Sequence, residues 1–204
     1  LQSDAQRDAF LASIGMNSFS HAFTRVPHFD ICRNVPYDFM HCELEGSCKN
    51  ELAAMLFYFL RKRPAWGFTL EKLNAAIRSY PWPAGFAPPI FTGGYLEKGT
   101  KDGKCKTGCH VHMTAGDMAI FMRHSIDLLL PLIGDTSDPL WRCWVAHARY
   151  VRLLLQHSLT HAELVTLDRL IYEHHELFLA AEEYGPRLFK PKNHFACHFP
   201  SDIL

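Results

Sequence analysis

The feature that most limits how this chain can fold is an apolar stripe between about residues 36 and 63. Apolar residues recur there at spacings of three and four, which places them on one face of a helix. Pro36 can occupy a first helical turn at no hydrogen-bond cost, Arg61–Arg63 suit a helix C-terminus, and Pro64 ends the helix. The sequence therefore predicts one long amphipathic helix, with a stripe made of Leu44, Cys48, Leu52, Met55, Leu56 and Phe59.

Four further helices are predicted, over about 70–80, 114–132, 138–156 and 160–184, the last ended by Gly185. The last three open on side chains that typically cap a helix N-terminus. Residues 81–109 are rich in proline and glycine and are predicted to be loop, with no clear β-hairpin and no internal repeat. The fold class is therefore mainly α. The start signals are Thr114 with Asp117, Asp138 with Pro139, and Thr160 with Glu163.

Composition restricts the possible classes of protein. The 204 residues are 48% hydrophobic and 21% charged, which is typical of a globular chain. A net charge of zero gives no overall attraction to nucleic acid, so any DNA contact must come from local basic patches. Seven scattered cysteines predict no disulfide framework and favour a reducing, intracellular compartment. No signal peptide or membrane-spanning apolar run is found, and the lack of an initiator Met suggests an excerpt of a longer protein.

A polar triplet precedes the apolar stripe. Asp38, His41 and Glu45 follow one another at spacings of three and four and so share one helical face. Extending the stripe backwards predicts that this face points inward, whereas Glu43 falls on the solvated side. The spacing leaves two interpretations open. Either His41 bonds Asp38 or Glu45 and the trio anchors the helix start, or the trio belongs to a metal or acid–base site.

Other ligand-type residues cluster in two places. Cys105, Cys109, His110 and His112 lie in the predicted loop and offer a possible zinc site, with a polar loop as the alternative. The second place holds His194 and His198, which lie one helical turn apart. They could bind a metal or simply begin a packed helix.

Basic and aromatic residues carry further predictions. Local basic patches could contact DNA phosphates, or could be no more than a helix end and a solvated loop. They are Arg61, Lys62 and Arg63 beside Trp66, and Lys98, Lys101, Lys104 and Lys106.

Trp141, Trp144 and Tyr150 recur at helical spacing and are predicted to lie in the core. Four histidines on helices are predicted to be surface or half-buried: His157, His161, His174 and His175.

Two segments resemble a known family. Residues 38–46 match the pattern D-x-M-H-x-x-x-E-G of DDE-type DNA transposases of the CACTA/En-Spm group. Residues 190–200 are similar to that group's K-P-K-H-H-F-x-x-H-Y-P segment, with Asn193 where histidine is frequent. Phe29–Asp30 and the helices around 115–134 and 164–179 also resemble the group, so the likeness spans most of the chain from about Phe29 onward.

The resemblance implies a metal-dependent mechanism. DDE transposases hold two divalent cations, usually Mg²⁺ and alternatively Mn²⁺, on carboxylates of an RNase H-like core. It implies catalytic roles for Asp38, His41 and Glu45, with Asp38 and Glu45 as Mg²⁺ ligands. DNA contacts fall to Arg61, Lys62 and Arg63 at the end of the predicted helix and to Lys190 and Lys192 of the second segment.

The resemblance also implies an organisation. Residues 1–45 would be the edge of the RNase H-like core with the D-x-x-H element, 46–185 a helical insertion domain, and 186–204 a return segment toward the core. Such a piece of a polynucleotidyl transferase is not expected to be active alone. The full-length protein is expected to be nuclear, to bind transposon ends, and to form a homo-oligomer away from membranes. The alternatives are a domesticated or inactive helical domain that binds DNA or protein, and a helical zinc-binding protein.

Overall fold

The computed structural model of the protein describes residues 38–92, 100–101, 104–105, 111–181, 184, 193 and 196–200. The described part is mainly helical, as the sequence predicts. A π-helix, Met40–Ser47, runs directly into α1, Cys48–Lys62. The other α-helices are α2, Leu70–Ser79; α3, Ala115–Leu129; α4, Pro139–Leu154; and α5, His161–Ala180. Short 3₁₀ turns are Pro64–Trp66, Leu130–Leu132 and Ala196–His198.

The predicted starts of the last three α-helices are confirmed, whereas the helix start predicted near Pro36 lies outside the described residues. Thr114 Oγ1 accepts a hydrogen bond from the Asp117 amide at 3.1 Å, and this bond caps α3. At the start of α5, Thr160 and Glu163 form a complete capping box. The predicted end of α5 near residue 184 is four residues too late. The chain leaves the helix at Ala181, and the ring of Tyr184 lies 4.7 Å from the ring of Phe178.

Helix α4 lies at the centre of the described core. It packs most extensively on α5 and also contacts α3 and α1, while the π-helix packs on α3. The prediction that Trp141, Trp144 and Tyr150 are core residues is confirmed, because each is at most 3% exposed. Burying aromatic side chains of this size stabilises the fold by about 1.5–3 kcal/mol each.

Two of the four histidine predictions are confirmed and two are wrong. His157 and His161 are exposed, as expected for the end of α4 and the start of α5. The prediction for His174 and His175 is wrong, since both are buried. They lie on the face of α5 that also carries Ile171 and Phe178, and this face forms part of the core.

The predicted loop contains a short hairpin that the sequence does not indicate. Strand β1, Thr100–Lys101, pairs in antiparallel fashion with β2, Lys104–Cys105. Two-residue strands are too short to show the alternating pattern by which strands are predicted. Among the described helices, none combines the length and the hydropathy needed to cross a bilayer.

Two glycine-to-alanine substitutions test the packing, because they are expected to change the free energy of unfolding in opposite directions. A Cβ on Gly134 would lie 2.6 Å from Cδ1 of Trp66, whose ring rests against Phe59. We expect Gly134→Ala to lower the free energy of unfolding by about 1–3 kcal/mol through overpacking. On Gly116, in the first turn of α3, the nearest atom to a new Cβ is 3.9 Å away. Gly116→Ala should therefore raise the free energy of unfolding by about 0.4–1 kcal/mol. Urea denaturation measures both, and a shift of the same sign in both variants would contradict this packing.

Candidate functional site: an outer carboxylate trio and an inner histidine network

The π-helix decides which polar residues face the interior. Its hydrogen bonds join residues five apart, so each residue turns through a smaller angle than in an α-helix. The side chain of Glu43 is consequently fully buried, whereas those of Asp38, His41 and Glu45 are 56%, 57% and 38% exposed. The prediction that the triplet points inward and Glu43 outward is therefore wrong, because it assumed α-helical geometry.

The outer trio, Asp38, His41 and Glu45, is nevertheless brought together. His41 Nδ1 lies 2.5 Å from Asp38 Oδ2, and His41 Nε2 lies 3.8 Å from Glu45 Oε2. Asp38 Oδ1 also accepts from the amide of Met40 at 2.9 Å, as a helix-capping group does. The hydrogen bond from His41 holds the pKa of Asp38 below its ordinary value. The trio thus anchors the helix start and also presents two carboxylates to solvent.

A second, fully buried set of polar residues joins the π-helix and α1 to α4 and α5. We call it the inner network: Glu43, Glu51, His147, Tyr150 and His174. Glu51 Oε2 lies 2.6 Å from Nδ1 of His147 and 2.7 Å from Nε2 of His174. Glu43 Oε2 lies 3.2 Å from Nε2 of His147 and accepts from the Tyr150 hydroxyl at 2.9 Å. One histidine therefore bridges two glutamates in the core.

The geometry favours a doubly protonated His147. Its two ring nitrogens lie 2.6 Å and 3.2 Å from carboxylate oxygens, which accept hydrogen bonds when ionised. Burial alone lowers the pKa of His147, but Cys48, Glu51 and Glu43 together raise it well above its ordinary value. Burial alone raises the pKa of Glu51, but His174 and His147 hold it far below its ordinary value. The inner network therefore contains an ion pair excluded from water.

These pKa shifts predict how the stability of the chelator-treated chain depends on pH. The lowered pKa of Glu51 contributes stability that is fully present above pH 4.5, the ordinary pKa of a glutamate, and is lost as the pH falls further. The raised pKa of His147 contributes stability that is fully present below pH 6.5 and is lost as the pH rises through its folded pKa. We therefore expect the free energy of unfolding to be largest between pH 4.5 and pH 6.5. Urea midpoints measured from pH 3 to 9 check this, and a maximum above about pH 8 would contradict it.

Cysteines complete two groups that could hold a metal ion. In the first, Glu43, Cys48 and His147, the ligand atoms lie within 4.8 Å of one another. In the second, Glu51, Cys143 and His174, they do so as well. All six residues are buried. In the described part of the chain, three of their atoms are buried without a hydrogen-bond partner: Oε1 of Glu43, Oε1 of Glu51 and Nδ1 of His174.

The sequence contained a signal for part of this network. Glu51 follows Cys48 by three residues and precedes Met55 by four, so it lies on the apolar stripe. His147 likewise falls three residues after Trp144 and three before Tyr150. A charged or polar residue on a predicted core face indicates a buried partner. Neither residue was predicted to belong to a site, because the predicted sites consist of polar residues close together in the chain.

Several predicted site residues lie outside the described part of the chain. These are Cys109 and His110 of the possible zinc site, together with Lys190, Lys192 and His194. Cys105 is described only through the backbone of β2, and His112 is exposed. The predicted zinc site therefore stays a prediction.

The basic residues at the end of α1 differ from one another. Arg61 and Lys62 are exposed. Arg63 donates from Nε and Nη2 to Oδ2 of Asp138, at 3.1 and 3.0 Å, and its guanidinium lies 4.7 Å from the ring centre of Tyr58. The charge of Arg63 is thus paired within the fold.

An aromatic contact joins two distant parts of the chain. The rings of Phe39 and Phe199 meet edge to face, with centroids 5.9 Å apart. Phe199 is buried and Phe39 is half-buried. The start of the π-helix therefore lies beside the turn Ala196–His198.

Comparison with known proteins identifies no relative: no family model, curated protein or solved structure matches the chain.

Proposed function

We propose that this chain is part of a metal-dependent DNA transposase of the DDE type, which cleaves DNA strands and transfers their ends. The single observation that carries the proposal is the contact between Phe39 and Phe199. Each ring belongs to one of the two segments whose sequences resemble the CACTA/En-Spm group. The two rings are 160 positions apart along the chain, and a shared site requires their segments to be neighbours.

The outer trio supports the same proposal. A two-metal site is assembled from carboxylates on several segments, so each carboxylate must be accessible to ions and DNA. Asp38 and Glu45 are exposed and flank one histidine. Their oxygen ligands suit Mg²⁺ or Mn²⁺, and the remaining ligands would come from an RNase H-like core. In this proposal His41 positions the carboxylate of Asp38 through its hydrogen bond.

A rigid support for the trio follows from the same helix. Glu43 is only two residues from both His41 and Glu45, and it is held by His147 and Tyr150 in the core. Groups that act on a substrate work best when the elements that carry them are locked by packing. The inner network therefore serves the proposed function by fixing the helix that displays the trio.

DNA contacts in this proposal fall to the exposed cations. Arg61 and Lys62 are candidates for phosphate contacts, together with Lys190 and Lys192 of the second segment. Arg63 contributes less in this proposal, because Asp138 already neutralises it. The alternative of a helical zinc-binding protein is favoured by one observation, the buried Glu/Cys/His groups.

A manganese titration of the purified chain tests the outer trio. Paramagnetic Mn²⁺ should broaden the NMR signals of His41 at lower ion concentrations than signals near other exposed acids. Asp38→Asn should abolish this preference, because an amide oxygen still caps the helix but carries no charge. Asp127→Asn is the matched control, since Asp127 is exposed and its carboxylate accepts from Nη2 of Arg152 at 3.4 Å. Equal broadening of the His41 signals in both variants would count against the metal-binding role.

A further inference from the structure

We propose that Glu43, Cys48 and His147 form a buried binding site for one Zn²⁺ ion inside the helical body. This inference is separate from the proposed transposase site and does not depend on it. The zinc would be structural, since all three residues are buried and lie between the π-helix, α1 and α4. The site differs from the zinc site predicted around Cys105 and Cys109.

The distances between ligand atoms suit tetrahedral zinc. Bond lengths of about 2.0–2.1 Å to nitrogen and oxygen and 2.3 Å to sulfur place neighbouring ligands about 3.3 Å (N to O) and about 3.6 Å (N to S) apart. In the structure, Nε2 of His147 lies 3.2 Å from Oε2 of Glu43 and 3.4 Å from Sγ of Cys48. Both distances from His147 are therefore within about 0.2 Å of the tetrahedral values, and the ligand atoms of Glu43 and Cys48 lie within 4.8 Å of each other.

The second Glu/Cys/His group fits less well. Nε2 of His174 lies only 2.7 Å from Oε2 of Glu51, which is a hydrogen-bond distance and too short for two ligands of one ion. Sγ of Cys143 also donates to the backbone carbonyl of His174, at 3.7 Å. We therefore assign the zinc to the first group.

In this assignment Glu51 supports the site from outside. It lies 2.6 Å from Nδ1 of His147, and a histidine that binds zinc usually donates its other ring proton to a carboxylate or carbonyl. That bond fixes the tautomer of His147 with Nε2 free for the metal. His174 donates to the same oxygen of Glu51 and so holds the carboxylate in place.

Charge balance permits the ion. A thiolate, a carboxylate and a neutral imidazole neutralise Zn²⁺, and because one divalent ion replaces two protons, loading leaves the net charge of the buried network unchanged. Loading releases two protons, one from the Cys48 thiol and one from Nε2 of the His147 imidazolium. Glu43 Oε1 is buried and has no hydrogen-bond partner among the described residues, so a cation bound by this carboxylate would also compensate its uncancelled charge.

Metal analysis and X-ray absorption of the purified full chain test the assignment. We expect about one equivalent of zinc per chain, with one sulfur near 2.3 Å and nitrogen or oxygen near 2.0–2.1 Å. Less than a tenth of an equivalent after loading with zinc would overturn the proposal. A count of two sulfurs would also overturn it, because the loop site around Cys105 and Cys109 supplies two. This count needs no variant, so it remains decisive if a substitution prevents folding.

Matched cysteine variants locate the ion. Cys48→Ser should weaken zinc binding at least tenfold and abolish the thiolate-to-cobalt charge-transfer band of the Co²⁺-substituted chain. Cys143 is a fully buried cysteine of the neighbouring group, and the Cys143→Ser variant should retain both the zinc and the band. Glu51→Gln should weaken zinc binding about 10–100-fold without removing the sulfur ligand. Retention of the band in Cys48→Ser, or its loss in Cys143→Ser, would overturn the assignment.

Discussion

Replacing Glu51 by glutamine is expected to lower the free energy of unfolding of the chelator-treated chain by about 3–5 kcal/mol. Glu51 is 1% exposed and accepts hydrogen bonds from both His147 and His174. The amide has nearly the same shape but no charge, so it leaves the buried imidazolium of His147 without its closest counter-charge. Removing one partner from a buried ion pair typically costs this much. Urea denaturation at pH 6 measures the change.

The matched control is Glu176→Gln on the exposed face of α5. It makes the same chemical change two residues from His174 and should alter the free energy of unfolding by no more than about 0.5 kcal/mol. A loss below about 1 kcal/mol for Glu51→Gln would mean that the inner network does not hold the helices together.

The helical framework could be predicted because its signals are local. Thr160 and Glu163 lie three residues apart, and their capping box depends only on each other. Trp144 and Tyr150 lie on one helix, so their shared face follows from its period alone. For this reason the mainly α class and the starts of the last three α-helices agree with the structure.

The orientation of the outer trio could not be predicted in this way. An α-helical period places Asp38, His41 and Glu45 in line with the apolar stripe. The π-helix Met40–Ser47 changes that relation and turns Glu43 inward instead. A π-helix depends on tertiary contacts such as those of Glu43 with residues of α4, and no local pattern indicates it.

Only part of the inner network could be predicted from the sequence. The positions of Glu51 and His147 on apolar faces indicate buried polar groups. Their pairing joins residues 96 positions apart, so it depends on how α1 and α4 pack. Chain periodicity carries no information on that packing.

Replacing Asp38 by asparagine is expected to reduce metal-dependent DNA strand cleavage by the full-length protein at least about a hundredfold. A carboxylate that holds a catalytic cation contributes several kcal/mol to the stabilisation of the transition state. The amide can still accept the hydrogen bond from the Met40 amide, so the helix start should persist. Asp127→Asn, on the exposed face of α3, is the matched control and should cleave DNA at the wild-type rate.

The most direct measurement of the proposed function is the Mg²⁺-dependent rate at which the full-length protein nicks DNA carrying its element's ends. Wild type, Asp38→Asn and Asp127→Asn are compared at equal protein concentration and matched thermal stability. The account predicts cleavage by the wild type and by Asp127→Asn, and loss of cleavage by Asp38→Asn. Cleavage by Asp38→Asn at the wild-type rate, or no Mg²⁺-dependent cleavage by the wild type, would contradict it.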